Sequence, residues 1–495
     1  MRVTKSAAAK EGKLADVPRR SVPAGRAGRD GDRLPLHLQD AHCALAVPDL
    51  RALAPDDAQP MRTTFLTGAT GFLGIHLLAE LLASDPQAQA CCLVRASSRE
   101  HALQRILEQA QAFDLDVDAG RICAMCGDIN EPALGLSEED WARCSRDTQQ
   151  IVHASAHVNH IEGYATFRES TNAMKEVIRL AGTGRLKLVQ FISSTAGCAL
   201  KIGEEFSIFE KEDFIADGAS VYGGYGQSKW VQETFVQRAH ASGLPYVIYR
   251  FGELCGSSRT GRGQTDDMLH RLLQMRLAVG CREKISSDVL DMLPVDFAAR
   301  LIVGTGRTPE LWNGVVHATH LKPYSFANLY RKAQGLGLSF HPATRAEYLA
   351  RCHDFVKFIY SVDPVNGFVL ECVLRDAEGS IRHRKMMDGY FSVIFPFQQD
   401  RFRRALDRLG LSLPDWDALF ERYFEAWKAH DCGFLARIDE YRSLASPDDA
   451  HPSRIAAHAD TTTAHGARGA APDKRRQKGK ESTRDAVMLE KINEG

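Results

Sequence analysis

The segment TTFLTGATGFLGIHLLAELLAS, Thr63 to Ser84, constrains the chain more than any other. A β-branched and aromatic run ends at Thr67. Gly68, Gly71 and Gly74 follow in the spacing G-x-x-G-x-x-G, and Leu77, Leu78, Leu81 and Leu82 then recur at a helical period. The order is strand, tight turn, helix. Glycines permit dihedrals closed to other residues and let a pyrophosphate approach the backbone. The helix N-terminus adds unpaired N–H groups and partial positive charge for the anion. A tight turn with no ligand is the competing reading, and the strand before and helix after weigh against it.

Strand and helix patterns alternate beyond this point. GRICAMCGDI leads to Asp128, QQIVHASA reads as the next strand, FRESTNAMKEVIRLAG as a helix, LKLVQFIS as a strand and LPYVIYRFGEL as another. This alternation predicts an α/β fold with a doubly wound parallel sheet of the Rossmann, NAD(P)-binding type. Ligands of such sheets sit at the carboxyl ends of the strands. Asp128, residues 153–156, residues 193–195 and the stretch from Phe251 to Leu254 fall at such ends. The strand in AQACCLVRASSRE ends at Arg95. Enzymes that prefer NAD place an acidic residue there for the ribose hydroxyls, whereas a guanidinium suits a 2′-phosphate. NADPH is therefore the expected cofactor. Arg105, one or two turns into the following helix, is a second candidate contact; an ordinary exposed helical arginine fits the same position.

VYGGYGQSKW, from Val221, sets Tyr225 four residues before Lys229 and directly after a glycine pair. Positions i and i+4 share one helix face, so the two side chains meet if a helix starts near Gly224. An ammonium beside a phenol favours the phenolate and makes the tyrosine a usable proton donor. A cation near a ring at a plain helix start is the bland alternative.

With 495 residues, 44% hydrophobic and a formal net charge of −1, the chain has no general attraction for nucleic acid or anionic membranes. No uninterrupted apolar run is long enough to span a bilayer. Its 12 cysteines show no disulfide framework and suit a reducing, cytoplasmic setting. Cys123 and Cys126 have C-x-x-C spacing without a second ligand pair, and His153, His157 and His160 lack a carboxylate partner, so no metal is expected. Residues 1–60 and 444–495 read as a flexible leader and tail, with Met61 as a candidate natural start that would make the leader dispensable. Between them, 61–320 is expected to bind the dinucleotide and carry the chemistry. Residues 321–443 are expected to form a smaller, mainly helical substrate-binding subdomain, with two helices broken at GLSLPD and strands around the AEGS turn. The arginines of RTGRGQTDD could meet a phosphate of the substrate carrier or simply face solvent.

TGATGFLG, GDI, HASAHVN, FISSTAG, YGQSK and YRFGELCG, in this order, resemble the extended short-chain dehydrogenase/reductase family. LVRA, GYGQSKWVQE, DMLPVDFAARLIV and RYFEAWKAHDCGFL resemble its thioester reductase branch, which closes nonribosomal peptide synthetases and carboxylic acid reductases. The resemblance covers roughly Arg62 to Leu435. It implies NADPH-dependent reductive release of an acyl chain held as a thioester on a carrier protein or CoA. The product would be an aldehyde, or an alcohol after a second hydride, as in secondary metabolism. No adenylation or carrier region accompanies the motifs, so the substrate would arrive on another molecule, such as a synthetase carrier protein acting in trans. The motif match implies Thr195, with Ser194 a close second, Tyr225 and Lys229 as catalytic residues. For the cofactor it implies Gly68, Thr70, Gly71, Phe72, Leu73, Gly74, Asp128, Ile129, Ala154 and Ser155, with Tyr225 and Lys229 also beside it. Phe251 and Leu254 would flank the nicotinamide, although Phe251 stands where many relatives carry proline. The alternatives on the same frame are a fatty acyl-CoA reductase and a sugar-nucleotide epimerase or dehydratase; a non-catalytic NADP-binding regulator would have no need of all three catalytic side chains.

Overall fold

Seven parallel strands make the central sheet: β1 Thr63–Thr67, β2 Gln89–Val94, β3 Ile122–Cys126, β4 Gln150–His153, β5 Leu188–Ser194, β6 Tyr246–Phe251 and β7 Gly314–Ala318. Their order is β7-β6-β5-β4-β1-β2-β3, so the winding reverses between β1 and β4, where α/β sheets open a ligand crevice. The computed structural model describes residues 34–444, apart from 53–60, 371–396 and shorter internal stretches.

In chain order the helices up to residue 306 are α1 Leu36–His42, α2 Phe72–Ala83, α3 Arg99–Ala112, α4 Glu138–Asp147, α5 Tyr164–Ala181, α6 Gly224–Ala241, α7 Met268–Ala278 and α8 Val295–Gly306. α2, α3 and α8 pack on one face of the sheet, and α1, α4, α5 and α6 on the other. Burial on both faces explains why β5 and β6 read as nearly continuous apolar runs. The polar interruptions are satisfied sideways. Tyr249 donates to Gln190 at 2.6 Å, Gln190 to Gln150 at 2.9 Å and Gln150 to Thr64 at 2.8 Å, leaving no cost of an unpaired buried group along that row.

Two expectations need correction. The first concerns the leader. α1 is docked rather than flexible: Asp40, 4% exposed, accepts two bonds from Arg168 at 2.9 Å and one from the Tyr164 hydroxyl at 2.9 Å. Arg238 donates to the carbonyls of Ala41 and Cys43 at 2.9 Å, which ties the end of α1 to α6. A seven-residue helix has little intrinsic stability, so these long-range contacts hold it. A chain beginning at Met61 is therefore expected to melt about 5 °C or more below the full chain, because it leaves Tyr164 and Arg168 without their buried acceptor. Differential scanning fluorimetry of the two forms checks this; equal melting temperatures would make α1 dispensable.

The second correction concerns the boundary at 320, which the chain crosses in both directions. α7 lies in the core formed by the later helices, together with Phe326, Phe355, Phe420 and Trp427. Helix Asp400–Leu409 returns to the nucleotide half, where Phe402, Ala405 and Leu406 join the core under α2 and α8. The two helices expected around GLSLPD are present as Asp400–Leu409 and Trp416–His430, and Gly410 ends the first with φ 63°. The strands expected around AEGS lie outside the described residues, as do the tail beyond 444 and the first 33 residues.

The C-x-x-C pair forms no joint site. Strand alternation sends Cys123 toward one core and Cys126 toward the other, so they cannot act together. Among the described residues no group of three or more His, Cys, Asp or Glu is placed to hold a metal ion, and no helix is long and apolar enough to cross a membrane.

Candidate active site

The turn between β1 and α2 is built as the glycine spacing predicts. Gly68 has φ 78°, and its carbonyl accepts from Gly71 N–H at 2.8 Å. A Cβ on Gly68 would stand 2.9 Å from the backbone of Ala154 and Ser155, and one on Gly74 only 1.9 Å from the Gly68 carbonyl oxygen. Side chains there would push the helix off the strand. α2 starts at Phe72 with no side-chain cap, so its first N–H groups point at the crevice without an internal acceptor.

A cleft of about 370 Å³ opens over this turn. It is lined by Gly68, Thr70, Gly71, Arg95, Arg105, Asp128, Ile129, Ala154 and Ser155, together with Leu93, Asn130 and His157. Nine of the residues expected to bind cofactor thus meet at the ends of β1 to β4. Arg105 donates to the backbone carbonyl of Arg95, which holds the Arg105 guanidinium at the rim beside that residue. Arg99 is instead paired with Asp140 at 2.7 Å. The uncapped helix end and the missing Cβ atoms fit a dinucleotide pyrophosphate.

Other expected contacts are not brought to the cleft by their side chains. Leu73 is buried in the core, leaving only its backbone N–H for a ligand. Phe72 packs on Phe113 at 5.3 Å between ring centres and lines a second cleft. Phe251 is buried and stacked on Tyr249, and Leu254 is half-buried against the same core. The residues following β6 approach the site differently: Glu253 acts electrostatically on Tyr225.

α6 begins at Gly224 after Gly223 turns the chain with φ 76°, so Tyr225 and Lys229 stand one turn apart on a buried helix face. Tyr225 is 8% exposed and packs with Phe167 and Ala196; Phe167 in turn touches His157 at the cleft wall. The hydroxyl hydrogen-bonded to the Tyr225 phenol belongs to Ser194. Ser194, the close second to Thr195 in the motif, is thus the hydroxyl set at the phenol. β5 ends at Ser194, and Thr195 already starts the following 3₁₀ turn.

The electrostatics also differ from expectation. Burial pushes the Tyr225 phenol above its ordinary range; Glu253 adds to that and the Ser194 bond opposes it. Lys229 donates to the Ile192 carbonyl at 2.8 Å, with Nζ 5.6 Å from the Tyr225 ring centre and 5.0 Å from that of Phe191. Its charge is directed to the strand backbone and does not lower the phenol. Burial brings Lys229 down to about 8, opposed by Glu233. His153 is held neutral, at about 3, by burial and by Lys229, and its Nδ1 lies 2.9 Å from Thr67 Oγ1. Glu253 is raised to about 7 by burial, Asp267 and Asp291. Three separate stretches bring these carboxylates together, so no local pattern announces them.

The loop at Arg262 is anchored rather than free in solvent. Arg262 pairs with Asp114 at 2.7 Å and contacts His430 at 3.0 Å and the Ala112 carbonyl. It lines the second cleft, about 560 Å³, with Thr70, Phe72, His270 and Trp427.

The family model described as male sterility protein, an NAD-binding family, matches residues 66–302. The chain is 34% identical over 315 residues to a component of the linear gramicidin synthase of Brevibacillus parabrevis, covering 63% of this chain and 6% of that protein. It is 35% identical over 277 residues to the L-2-aminoadipate reductase large subunit of Penicillium chrysogenum, covering 52% of this chain and 19% of that one. The chain thus spans less than a fifth of the length of these two relatives. The solved terminal R domain of the myxalamid PKS-NRPS biosynthetic pathway is 28% identical with a TM-score of 0.68, covering 81% of this chain and 98% of that one. A nicotinamide dinucleotide is the cofactor of this fold and family. Matching motifs, sheet order and a solved reductase domain aligned over nearly its whole length agree, and together they support the thioester reductase branch of the extended short-chain dehydrogenases/reductases, an oxidoreductase family, as the kin of this chain.

Proposed function

We propose that the protein is an NADPH-dependent reductase that releases a thioester-bound acyl chain as an aldehyde. The observation that carries this reading is the hydrogen-bonded pair of Ser194 and Tyr225, buried one turn from Lys229 and joined to the dinucleotide cleft through Phe167 and His157. When bound, the nicotinamide supplies the hydride. The chain's own residues handle the oxygen. Ser194 and Tyr225 donate hydrogen bonds to the thioester carbonyl, and these strengthen as negative charge grows there. The phenol, kept protonated by burial, gives up its proton as the hemithioacetal forms. Collapse of that hemithioacetal expels the thiol and leaves the aldehyde; an aldehyde that stays bound takes a second hydride to the alcohol. Lys229 holds the β5 end through Ile192 and offers its charge to the cofactor ribose. The second cleft, between the phosphate turn and Trp427, is the proposed path of the acyl chain. The thiol carrier is CoA or the phosphopantetheine of a carrier protein, as the relation to a peptide synthase suggests.

Loss of NADPH absorbance with octanoyl, benzoyl and alanyl thioesters of CoA and of carrier-bound pantetheine, with product mass spectrometry, tests the reading. Aldehyde with consumption of NADPH is expected; a redox-neutral change of a sugar nucleotide would overturn it. Arg95 and Arg105 carry the preference for the 2′-phosphate. Arg95→Ala is expected to weaken NADPH binding about 10-fold or more while leaving NADH affinity nearly unchanged. Isothermal titration with both nucleotides checks this, and equal losses for the two would remove Arg95 from the 2′-phosphate site.

A further inference from the structure

Beneath Ser194 and Tyr225 lies a buried charge cluster that the mechanism above does not use. Glu233 follows Lys229 by one turn of α6 and is 2% exposed. Its Oε1 accepts from Ser193 Oγ at 2.6 Å and from Arg250 Nε at 3.0 Å, and its Oε2 accepts from Arg250 Nη2 at 2.6 Å. Arg250 is fully buried, and its Nη1 lies 3.1 Å from His317 Nε2. Burial and the Arg250 charge keep His317 neutral, at about 3. Its Nδ1 faces the Gln398 carbonyl at 3.2 Å, so that nitrogen carries the hydrogen and Nε2 accepts from Arg250.

Two charges taken out of water at this depth are a poor source of stability, and an apolar pair of the same volume would serve packing as well. Position suggests another use. Ser193 and Arg250 stand abreast on neighbouring strands, and Ser193 comes one residue before Ser194 at the site. Glu233 joins those two strand ends to the helix that carries Tyr225 and Lys229. It is also the anionic group acting on Lys229. From the other elements, Lys229 is faced by neutral His153 on β4 and by the Phe191 ring and Ile192 carbonyl on β5; on its own helix stands the protonated Tyr225.

We propose that Glu233 is a positioning residue for thioester reduction, fixing the β5 end that presents Ser194 and supplying the counter-charge to the Lys229 ammonium. The proposal rests on the reading that Ser194, Tyr225 and Lys229 perform the reduction. Removing a negative neighbour disfavours the charged lysine, so its titration must move to lower pH. In Glu233→Gln, the pH above which NADPH binding weakens, followed by tryptophan fluorescence, is expected to fall by about one unit or more. The alkaline limb of octanoyl-CoA turnover should move with it, and kcat should drop about 10-fold with KM little changed. Glu233→Asp keeps the charge and should restore the midpoint. If Glu233→Gln strands Arg250 and fails to fold, Glu233→Gln/Arg250→Met removes both charges and should fold with a smaller acid shift, since the Arg250 cation is lost as well. A purely structural role lowers the melting temperature and leaves the midpoint where it was; an unmoved midpoint in either folded variant overturns the proposal. Failure of the underlying reading shows separately, as full turnover in Tyr225→Phe.

Discussion

Tyr225→Phe is expected to lower kcat for thioester reduction about 10³-fold while NADPH binding stays within about twofold. The substitution removes one oxygen. The ring keeps its packing against Phe167, 6.1 Å between centres, and the turn and arginines that line the dinucleotide cleft are untouched. What is lost is a proton donor and one of two hydrogen bonds to the oxygen where charge develops. Single-turnover NADPH oxidation with a saturating thioester, beside fluorescence titration of NADPH, separates the two effects. Near-normal turnover would take Tyr225 out of the mechanism.

The same variant tests the reversed electrostatics. The i, i+4 spacing suggests that Lys229 draws the phenol down, yet burial and Glu253 push it up while Lys229 itself is brought to about 8. The sign follows directly. A buried lysine with a lowered pKa is charged below about 8 and neutral above it, whereas the phenol stays protonated throughout the assayable range. Any limb in NADPH binding near that pH therefore belongs to Lys229 and should survive in Tyr225→Phe. Its disappearance would return the titration to the phenol.

Features set by neighbours in sequence were legible before any coordinates. Gly68, Gly71 and Gly74 specify a turn because no side chain fits against Ala154 or the Gly68 carbonyl, and Gly223 starts α6 because its φ is positive. The β-α alternation likewise leads to a parallel sheet, since each strand must be covered on both faces. Features set across the chain were hidden. α1 is held by Tyr164, Arg168 and Arg238, residues more than a hundred positions away, and by itself reads as polar leader. α7 and the helix from Asp400 change sides because their apolar faces meet cores assembled from distant segments. Glu253 and Glu233 look like ordinary surface glutamates until the fold buries one beside a phenol and the other against Arg250.

Ser194→Ala is expected to cost about 10² in kcat/KM, near 2.7 kcal/mol of transition-state stabilisation, whereas Thr195→Val should change it only a few-fold. The motif FISSTAG offers three adjacent hydroxyls, and spacing alone does not choose among them. The strand boundary does. Ser193 is taken by Glu233 at 2.6 Å, and Ser194, the last residue of β5, reaches the Tyr225 phenol. Thr195 opens the next turn and is 7% exposed within it. Two hydroxyls already within hydrogen-bond reach of each other can converge on one carbonyl oxygen, with little rearrangement as its charge grows. Ser194 Oγ also accepts from Ala196 N–H at 3.1 Å, which holds the oxygen in place and leaves its own hydrogen to donate. Ser194→Thr retains that hydrogen and should keep most of the rate. Steady-state kcat/KM of the three variants with octanoyl-CoA decides the matter: a large loss in Thr195→Val with little in Ser194→Ala would move the oxygen-binding role to Thr195 and break the geometric pairing on which the proposed reduction depends.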